Sequence, residues 1–127
     1  MNSPMSTLDA MRLTEVSYGA AQVIDGYGPG FFRVAGYVLR GAALVTPWDA
    51  GPWGGYGDTD TPLSLSGRID VLFVGTGAEI AHVPEAFRAT MEAAGIGVEV
   101  MNSPAAARTY KVLLGEGRRI AAALIPV

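Results

Sequence analysis

The sequence predicts an α/β fold in three layers: a mixed central sheet, two helices and an additional N-terminal β-meander. The first observation is the apolar segment from Ile69 to Val74, which ends at Gly75-Thr76-Gly77 and has the composition of a strand buried on both faces. The second is the helix, strand, helix and strand pattern that follows it directly. The third is a set of short apolar segments separated by Gly-rich turns in the N-terminal half.

The length and composition of the chain limit the number of domains and the kinds of surface that it can have. A chain of 127 residues suits one domain, so we expect a single domain over residues 1–127. Residues 1–17 are polar and mixed, and we expect them to be partly disordered. Half of the chain is hydrophobic and only 17% is charged, so apolar surface is available for a protein partner or a homo-oligomer.

The charge balance excludes some partners. A net charge of −3 provides no general attraction to nucleic acid or to an anionic membrane. The absence of Cys excludes disulfides and thiolate chemistry. Residues 1–20 lack the apolar core of a signal peptide, and no apolar segment approaches the roughly 20 residues of a membrane span. We therefore expect a cytoplasmic protein without a membrane span.

The N-terminal half predicts the meander. Its strands are expected at Ala21 to Asp25, Phe31 to Val34 and Tyr37 to Val45, since each of these segments is mainly apolar. Gly26 to Gly30 and Ala35-Gly36 are the predicted turns, where Gly supplies positive φ angles.

The segment from Pro47 to Pro62 has no periodicity, several Pro and Gly residues, and both tryptophans of the chain. It predicts a long irregular loop. Trp48 and Trp53 have two interpretations: they fold back as a lid over the meander, or they belong to a binding loop, because aromatic anchors are typical of interfaces.

Alternating helices and strands follow the Gly-Thr-Gly turn. Pro84 is expected to open a helix that runs to about Ala94 and ends at Gly95, with Phe87 and Met91 on its buried face.

The second helix is expected over Ala105 to Leu114, with Ser103 as its N-cap and Pro104 at its start. Strands are predicted at Ile96 to Met101 and Arg119 to Pro126. The strand–helix–strand unit implies a parallel pair with a right-handed crossover, whereas the direction of the last strand stays open.

One candidate site follows from that topology. Parallel strands end at the same edge, so Gly75, Thr76 and Gly77 should meet Asn102 and Ser103 beside two helix N-termini. Exposed N–H groups there would favour a small anionic ligand. Neither a Walker loop nor a G-x-G-x-x-G motif is present, so the alternative is a tight turn with a capping Thr.

A second candidate is basic. Arg108 and Lys111 share one stripe of the second helix, and Arg118 follows it. The stripe is either a solvated helix face or a docking patch for an acidic partner or a phosphate group. Together with Trp48 and Trp53, these residues form the predicted interaction patch.

Catalytic patterns are nearly absent. The only histidine, His82, lies in a loop, and a zinc site without Cys would depend on carboxylates. Asp58 and Asp60 lack the surroundings of a calcium loop, and no Ser lies in a nucleophile elbow. We expect no catalytic residue, no metal and no cofactor.

The C-terminal block also carries a family resemblance. It rests on Val74-Gly75-Thr76-Gly77, Gly95-Ile96, Glu99-Val100-Met101, Ala106, Arg108-Thr109-Tyr110, Leu113, Glu116-Gly117-Arg118 and Ala121 to Ile125, and more loosely on Phe32 to Gly36, Gly41 and Pro47. The chain resembles a family of small, mostly uncharacterised α/β domains, domain of unknown function family 498. This family includes mitochondrial complex I assembly factor three and the adipogenesis-associated domain protein.

The resemblance implies a mixed sheet with helices and an added β layer, no established enzymatic activity, and assembly through protein contacts. Lys111 departs from the family pattern, which usually has Asn at this position. The leading hypothesis is therefore a non-enzymatic interaction or assembly factor, similar to the complex I factor. The alternatives are the anion-binding module at the sheet edge and an enzyme of unknown class.

Overall fold

The computed structural model describes residues 23–127, so the prediction for residues 1–17 and the start of the first predicted strand lie outside it. The elements in chain order are β1 (Ile24–Gly28), β2 (Phe31–Val34), β3 (Tyr37–Arg40), β4 (Ala43–Val45), β5 (Ala50–Pro52), α1 (Asp60–Leu63), β6 (Val71–Thr76), α2 (Glu85–Ala93), β7 (Gly97–Met101), α3 (Ser103–Gly115) and β8 (Ile120–Ile125).

The main sheet is mixed, as predicted. Its strand order is β5-β4-β8-β6-β7, with β6 parallel to both β7 and β8, and β4 antiparallel to β8 and β5. The last strand is thus parallel to β6 and occupies the centre of the sheet. Residues 120–124 of β8 are all buried, and the small side chains of Ala121, Ala122 and Ala123 let layers pack closely on both faces.

The two faces of the main sheet are covered by different layers. On one face, α3 and the three-stranded sheet β1-β2-β3 share a core that includes Phe32, Val34 and Tyr110. On the other face, α2 contributes Phe87 and Met91 to a second core. The three-layer α/β architecture with its N-terminal β layer is therefore confirmed.

The predicted third strand, Tyr37 to Val45, is wrong as a single element. It divides at Gly41, whose φ of +80° turns the chain, so that β3 joins the small sheet and β4 joins the main sheet. The predicted turn from Gly26 to Gly30 is also too long. Pairing of Gly28 with Phe31 extends β1, and only Pro29 and Gly30 form the turn.

Both main helices begin differently from the prediction. Pro84 is the N-cap of α2 rather than its first helical residue, and Asn102 rather than Ser103 caps α3. The Asn102 side chain accepts a hydrogen bond from Ala105 N at 2.8 Å. The end of α2 is as predicted: Gly95 has φ +83° and donates to Glu92 O at 3.0 Å.

The segment between Pro47 and Pro62 is not irregular throughout. It contains β5, which pairs with β4, and its last three residues begin the one-turn helix α1. The strand predicted at Ile69 to Val74 is shifted, because β6 begins at Val71 and includes Gly75 and Thr76.

Candidate functional site

The structure brings the predicted edge residues together. Ser103, which is fully buried, connects three elements at the carboxyl ends of β6 and β8. Its Oγ accepts from Gly77 N at 2.9 Å and donates to Ile125 O at 2.5 Å, and its N–H donates to Gly77 O at 2.8 Å. The start of α3 is thereby attached to the ends of both strands. This explains why Ser103 is not the cap: its hydroxyl is already committed.

The structure explains why glycine occupies both position 75 and position 77 at this edge. A Cβ on Gly75 would lie 2.7 Å from Ser103 Cα and 2.9 Å from Leu124 Cδ2, so only Gly allows α3 to approach β6 this closely. Gly77 has φ +105°, a backbone conformation that other residues rarely adopt.

Thr76 organises the loop that follows. Its hydroxyl donates to Glu79 O at 2.7 Å and accepts from Ala81 N at 3.0 Å. The N–H groups of Gly77, Ser103 and Ala105, which the anion hypothesis would use, all donate to acceptors of the protein itself. Binding of a small anionic ligand at this edge stays a prediction, and the internal hydrogen bonds provide a structural role for each of these residues.

The two tryptophans occupy different environments, one in the core and one at the surface. Trp53 is buried on the α2 face of the main sheet, where its Nε1 donates to Asp58 O at 3.0 Å and its ring lies 5.8 Å from Phe87. The interpretation of a lid over the meander is therefore wrong for Trp53, and this side chain offers no surface to an interaction patch. Trp48 is 48% exposed and stacks against the Arg68 guanidinium at 4.1 Å.

Asp58 holds the loop around Trp53 together. Its carboxylate accepts from Thr61 Oγ1 at 2.6 Å, from Gly54 N at 3.0 Å and from Thr61 N at 3.0 Å. These hydrogen bonds, that of the Thr61 hydroxyl first, lower the pKa of Asp58 below its ordinary value of 3.8. The folded state therefore favours the ionised form.

Asp58→Asn is expected to lower the urea midpoint at neutral pH, because the amide cannot accept all three hydrogen bonds. A depressed pKa stabilises the fold above 3.8, and this contribution is lost as the pH falls through the lower folded pKa. The midpoints of the variant and the wild type should therefore converge in acid. Asp60→Asn is the control, since Asp60 is exposed in the same segment. A midpoint difference for Asp58→Asn that stays constant down to the acid limit would contradict this role.

The basic stripe lines a cleft between α3 and β1. Arg108 and Lys111 are exposed at its rim, and the cleft has a volume of about 230 Å³. The residues around it are Ile24, Asp25, Gly26, Tyr27, Pro104, Ala107, Arg108 and Lys111. Arg118 is exposed but does not line the cleft, so the structure does not gather the five predicted patch residues into one surface.

The sequence predicts Tyr27 in a turn and gives no sign that its side chain lines this cleft. The structure places it in β1, opposite Phe32 of β2, and leaves its side chain 48% exposed. No local signal links Tyr27 to Arg108. The packing of the small sheet beside α3 alone brings them to one cleft.

His82 lies in an open groove of about 410 Å³ beside Val100 of the outer strand β7. Arg88 also lines the groove, where its guanidinium donates to Val98 O at 3.2 Å and so covers one free carbonyl of that strand. Among the described residues neither an Asp nor a Ser lines this groove. The combination that would favour a nucleophilic enzyme is therefore not found around His82.

Tyr110, part of the Arg-Thr-Tyr segment, is fully buried in the core beneath α3. Burial raises the pKa of its hydroxyl, and the negative charge of Asp49 adds to this effect. The hydroxyl therefore stays protonated at neutral pH.

Two further observations concern residues 23–127. No group of three or more His, Cys, Asp or Glu side chains in this range is arranged to hold a metal ion. Within the same range, no helix has the length and apolar character needed to cross a membrane.

The fold and this site define a class: a small mixed α/β domain with a β-meander layer and a basic cleft beside its last helix. The chain belongs to the family described as "Protein of unknown function (DUF498/DUF598)", whose sequence pattern matches residues 24–125. The resemblance stated from the C-terminal block is thereby confirmed.

The relatives agree with that family. An uncharacterised Rhodobacter capsulatus protein is 48% identical over 117 residues, 92% of this chain and 94% of that protein. NADH dehydrogenase (ubiquinone) 1 alpha subcomplex assembly factor 3 of Mus musculus is 32% identical over 123 residues, 91% of this chain and 66% of that protein. The crystal structure of a Bartonella henselae protein, described as an outer membrane protein, has a TM-score of 0.75 and 35% identity, over 85% of this chain and 97% of that one.

Proposed function

We propose that this chain is a non-enzymatic assembly factor that acts through protein contacts during the maturation of respiratory complex I. The observation that carries the proposal is the 32% identity to complex I assembly factor 3 over 91% of the chain. The chain spans 66% of the length of that relative, so the match concerns the shared domain.

The geometry of the sheet edge supports a non-enzymatic role. Gly75 and Ser103 resemble site residues in the sequence, yet both are accounted for by the packing of α3 on β6. Thr76 is likewise accounted for by the loop that it holds. The exposed side chains include cations such as Arg108 and Lys111 and aromatic rings such as Tyr27 and Trp48, and both kinds of residue suit contacts with another protein. Self-association of the chain stays a prediction.

Deletion of the gene for this chain in its native host is expected to lower the amount of assembled complex I. Native gels of the membranes, together with their NADH oxidation rate, measure the effect. Succinate oxidation is the control, because it bypasses complex I. Re-expression of the wild-type chain should restore both readouts. Unchanged complex I in the deletion strain would contradict the proposal.

A further inference from the structure

We propose that the cleft between β1 and α3 docks an acidic segment of a partner protein, whose carboxylates pair with Arg108 and Lys111. The inference rests on the proposed function, because it names the surface and the partner chemistry through which an assembly factor of this kind would act. It is nevertheless testable on the isolated protein.

The charges of the cleft are not neutralised by the described residues. Arg108 and Lys111 are both exposed, and the ion pairs found in residues 23–127 involve other cations. Among residues 23–127, Asp25 is the one carboxylate that lines the cleft, and it accepts hydrogen bonds from Arg33 Nε at 3.1 Å and from Gly36 N at 3.2 Å. The cleft therefore presents two available positive charges on a chain whose net charge is −3.

The shape of the cleft suits part of a polypeptide. Its floor is apolar, formed by the buried side chains of Ile24 and Ala107, and the half-exposed ring of Tyr27 lies beside them. The volume of about 230 Å³ is below the roughly 300–1,000 Å³ typical of small-molecule sites. A cleft of this size accommodates one or two side chains of an extended segment rather than an enclosed ligand.

The spacing of the two cations indicates the pattern of the segment. Residues three apart on a helix have Cβ atoms about 5–6 Å apart, which applies to Arg108 and Lys111. Alternate residues of an extended chain face the same side and are about 6.6 Å apart. Two carboxylates at alternate positions therefore match the two cations, and an apolar side chain two positions further on can lie against the floor.

An acidic peptide fits better than free phosphate or nucleic acid. The apolar floor and Tyr27 would contribute nothing to the binding of inorganic phosphate, which needs only charge and N–H donors. Nucleic acid would need a broad basic surface, and two cations on an acidic chain do not form one. The observations thus favour one occupant, an acidic and partly apolar segment of protein.

The test is fluorescence anisotropy with a fluorescein-labelled peptide of sequence Glu-Ser-Glu-Ser-Leu at low salt. We expect saturable binding to the wild-type chain that weakens as salt is added. A double variant with Arg108→Glu and Lys111→Glu should lose at least about tenfold in affinity, because attraction becomes repulsion. The same peptide with Gln in place of Glu should also lose most of its affinity.

Arg40→Glu is the matched control. Arg40 is exposed on β3, the strand of the small sheet farthest from β1, and the substitution changes the net charge in the same direction. Two such substitutions, Arg40→Glu with Arg118→Glu, match the full change in charge outside the cleft lining. Thermal melting establishes that all variants are folded, and the double variant with Arg108→Gln and Lys111→Gln provides a milder neutralisation.

Three results would overturn the proposal. The first is the absence of saturable peptide binding to the wild-type chain. The second is a loss of affinity in the double control, Arg40→Glu with Arg118→Glu, as large as that in the double cleft variant. The third is competition by inorganic phosphate as strong as that by the unlabelled peptide. The last result would indicate a simple anion site.

Expression of the cleft variant in the deletion strain separates this proposal from the proposed function. If deletion lowers complex I and the cleft variant restores it fully, the assembly role stands and the cleft proposal fails. If deletion has no effect on complex I but peptide binding depends on Arg108 and Lys111, the complex I role fails and the docking surface stands.

Discussion

Replacing Gly75 by alanine is expected to destabilise the folded chain by up to about 3 kcal/mol, the upper end of the range for overpacking a filled site. The added Cβ would lie 2.7 Å from the backbone Cα of Ser103 and equally close to its Oγ. A rotamer change cannot relieve the contact with a backbone atom, so α3 must move away from β6. That movement would also disturb the hydrogen bonds of the Ser103 hydroxyl to Gly77 and Ile125.

Urea denaturation followed by circular dichroism measures this loss of stability. Gly51→Ala is the matched control, because Gly51 also lies in a strand of the main sheet and an added Cβ there meets no atom within 4 Å. We expect Gly51→Ala to leave the urea midpoint nearly unchanged. Equal midpoints for Gly75→Ala and Gly51→Ala would mean that the close approach of α3 to β6 is not essential.

Replacing Trp53 by alanine is expected to cost about 3–5 kcal/mol, the range for deletion of a large buried aromatic side chain. Trp53 is only 4% exposed, and its ring lies 5.7 Å from Tyr56 and 5.8 Å from Phe87 of α2. The substitution would leave a cavity between the loop and α2, and it would remove the hydrogen bond to Asp58 O. A loss of this size is a large part of the total stability of a small domain, typically about 5–15 kcal/mol.

Trp48→Ala provides the comparison within the same segment. Trp48 is 48% exposed and stacks against the Arg68 guanidinium, so its removal should cost about 1 kcal/mol or less. Both variants change the same residue type, so the free energies of unfolding are directly comparable. If Trp48→Ala proves as destabilising as Trp53→Ala, the assignment of Trp53 to the core and Trp48 to the surface is incorrect.

The residues expected to stabilise the fold and the residues proposed to bind a partner lie on different parts of the molecule. The Gly-Thr-Gly turn and Ser103 belong to the packing of α3, β6 and β8, whereas Arg108 and Lys111 are exposed at the cleft between α3 and β1. Variants of the cleft should therefore change binding without a large change in stability. This separation makes the docking proposal accessible to charge substitutions.

Much of the fold was predictable because its signals are local. The apolar segment at Ile69 to Val74 predicted a buried strand, and Gly95 predicted the end of α2, because both effects act within a few residues. The strand–helix–strand order likewise predicted the parallel pairing of β6 with β7, because an intervening helix returns the chain to the edge of the sheet where the first strand began. The meeting of Gly75 and Ser103 at one edge followed from the same rule.

Other features depend on contacts between residues distant in the chain. Nothing in the sequence near Gly41 states that β3 and β4 join different sheets, and nothing near Trp53 distinguishes it from Trp48.

The sequence by itself determined the mixed α/β class of this protein, its two main helices, and the order of the strands and helices in its C-terminal half. The tertiary structure alone decided that Trp53 rather than Trp48 joins the core, and that Tyr27 lines the same cleft as Arg108 and Lys111. The physical reason is that apolar periodicity specifies that a face is buried, whereas the partner that buries it is selected by the packing of the whole chain.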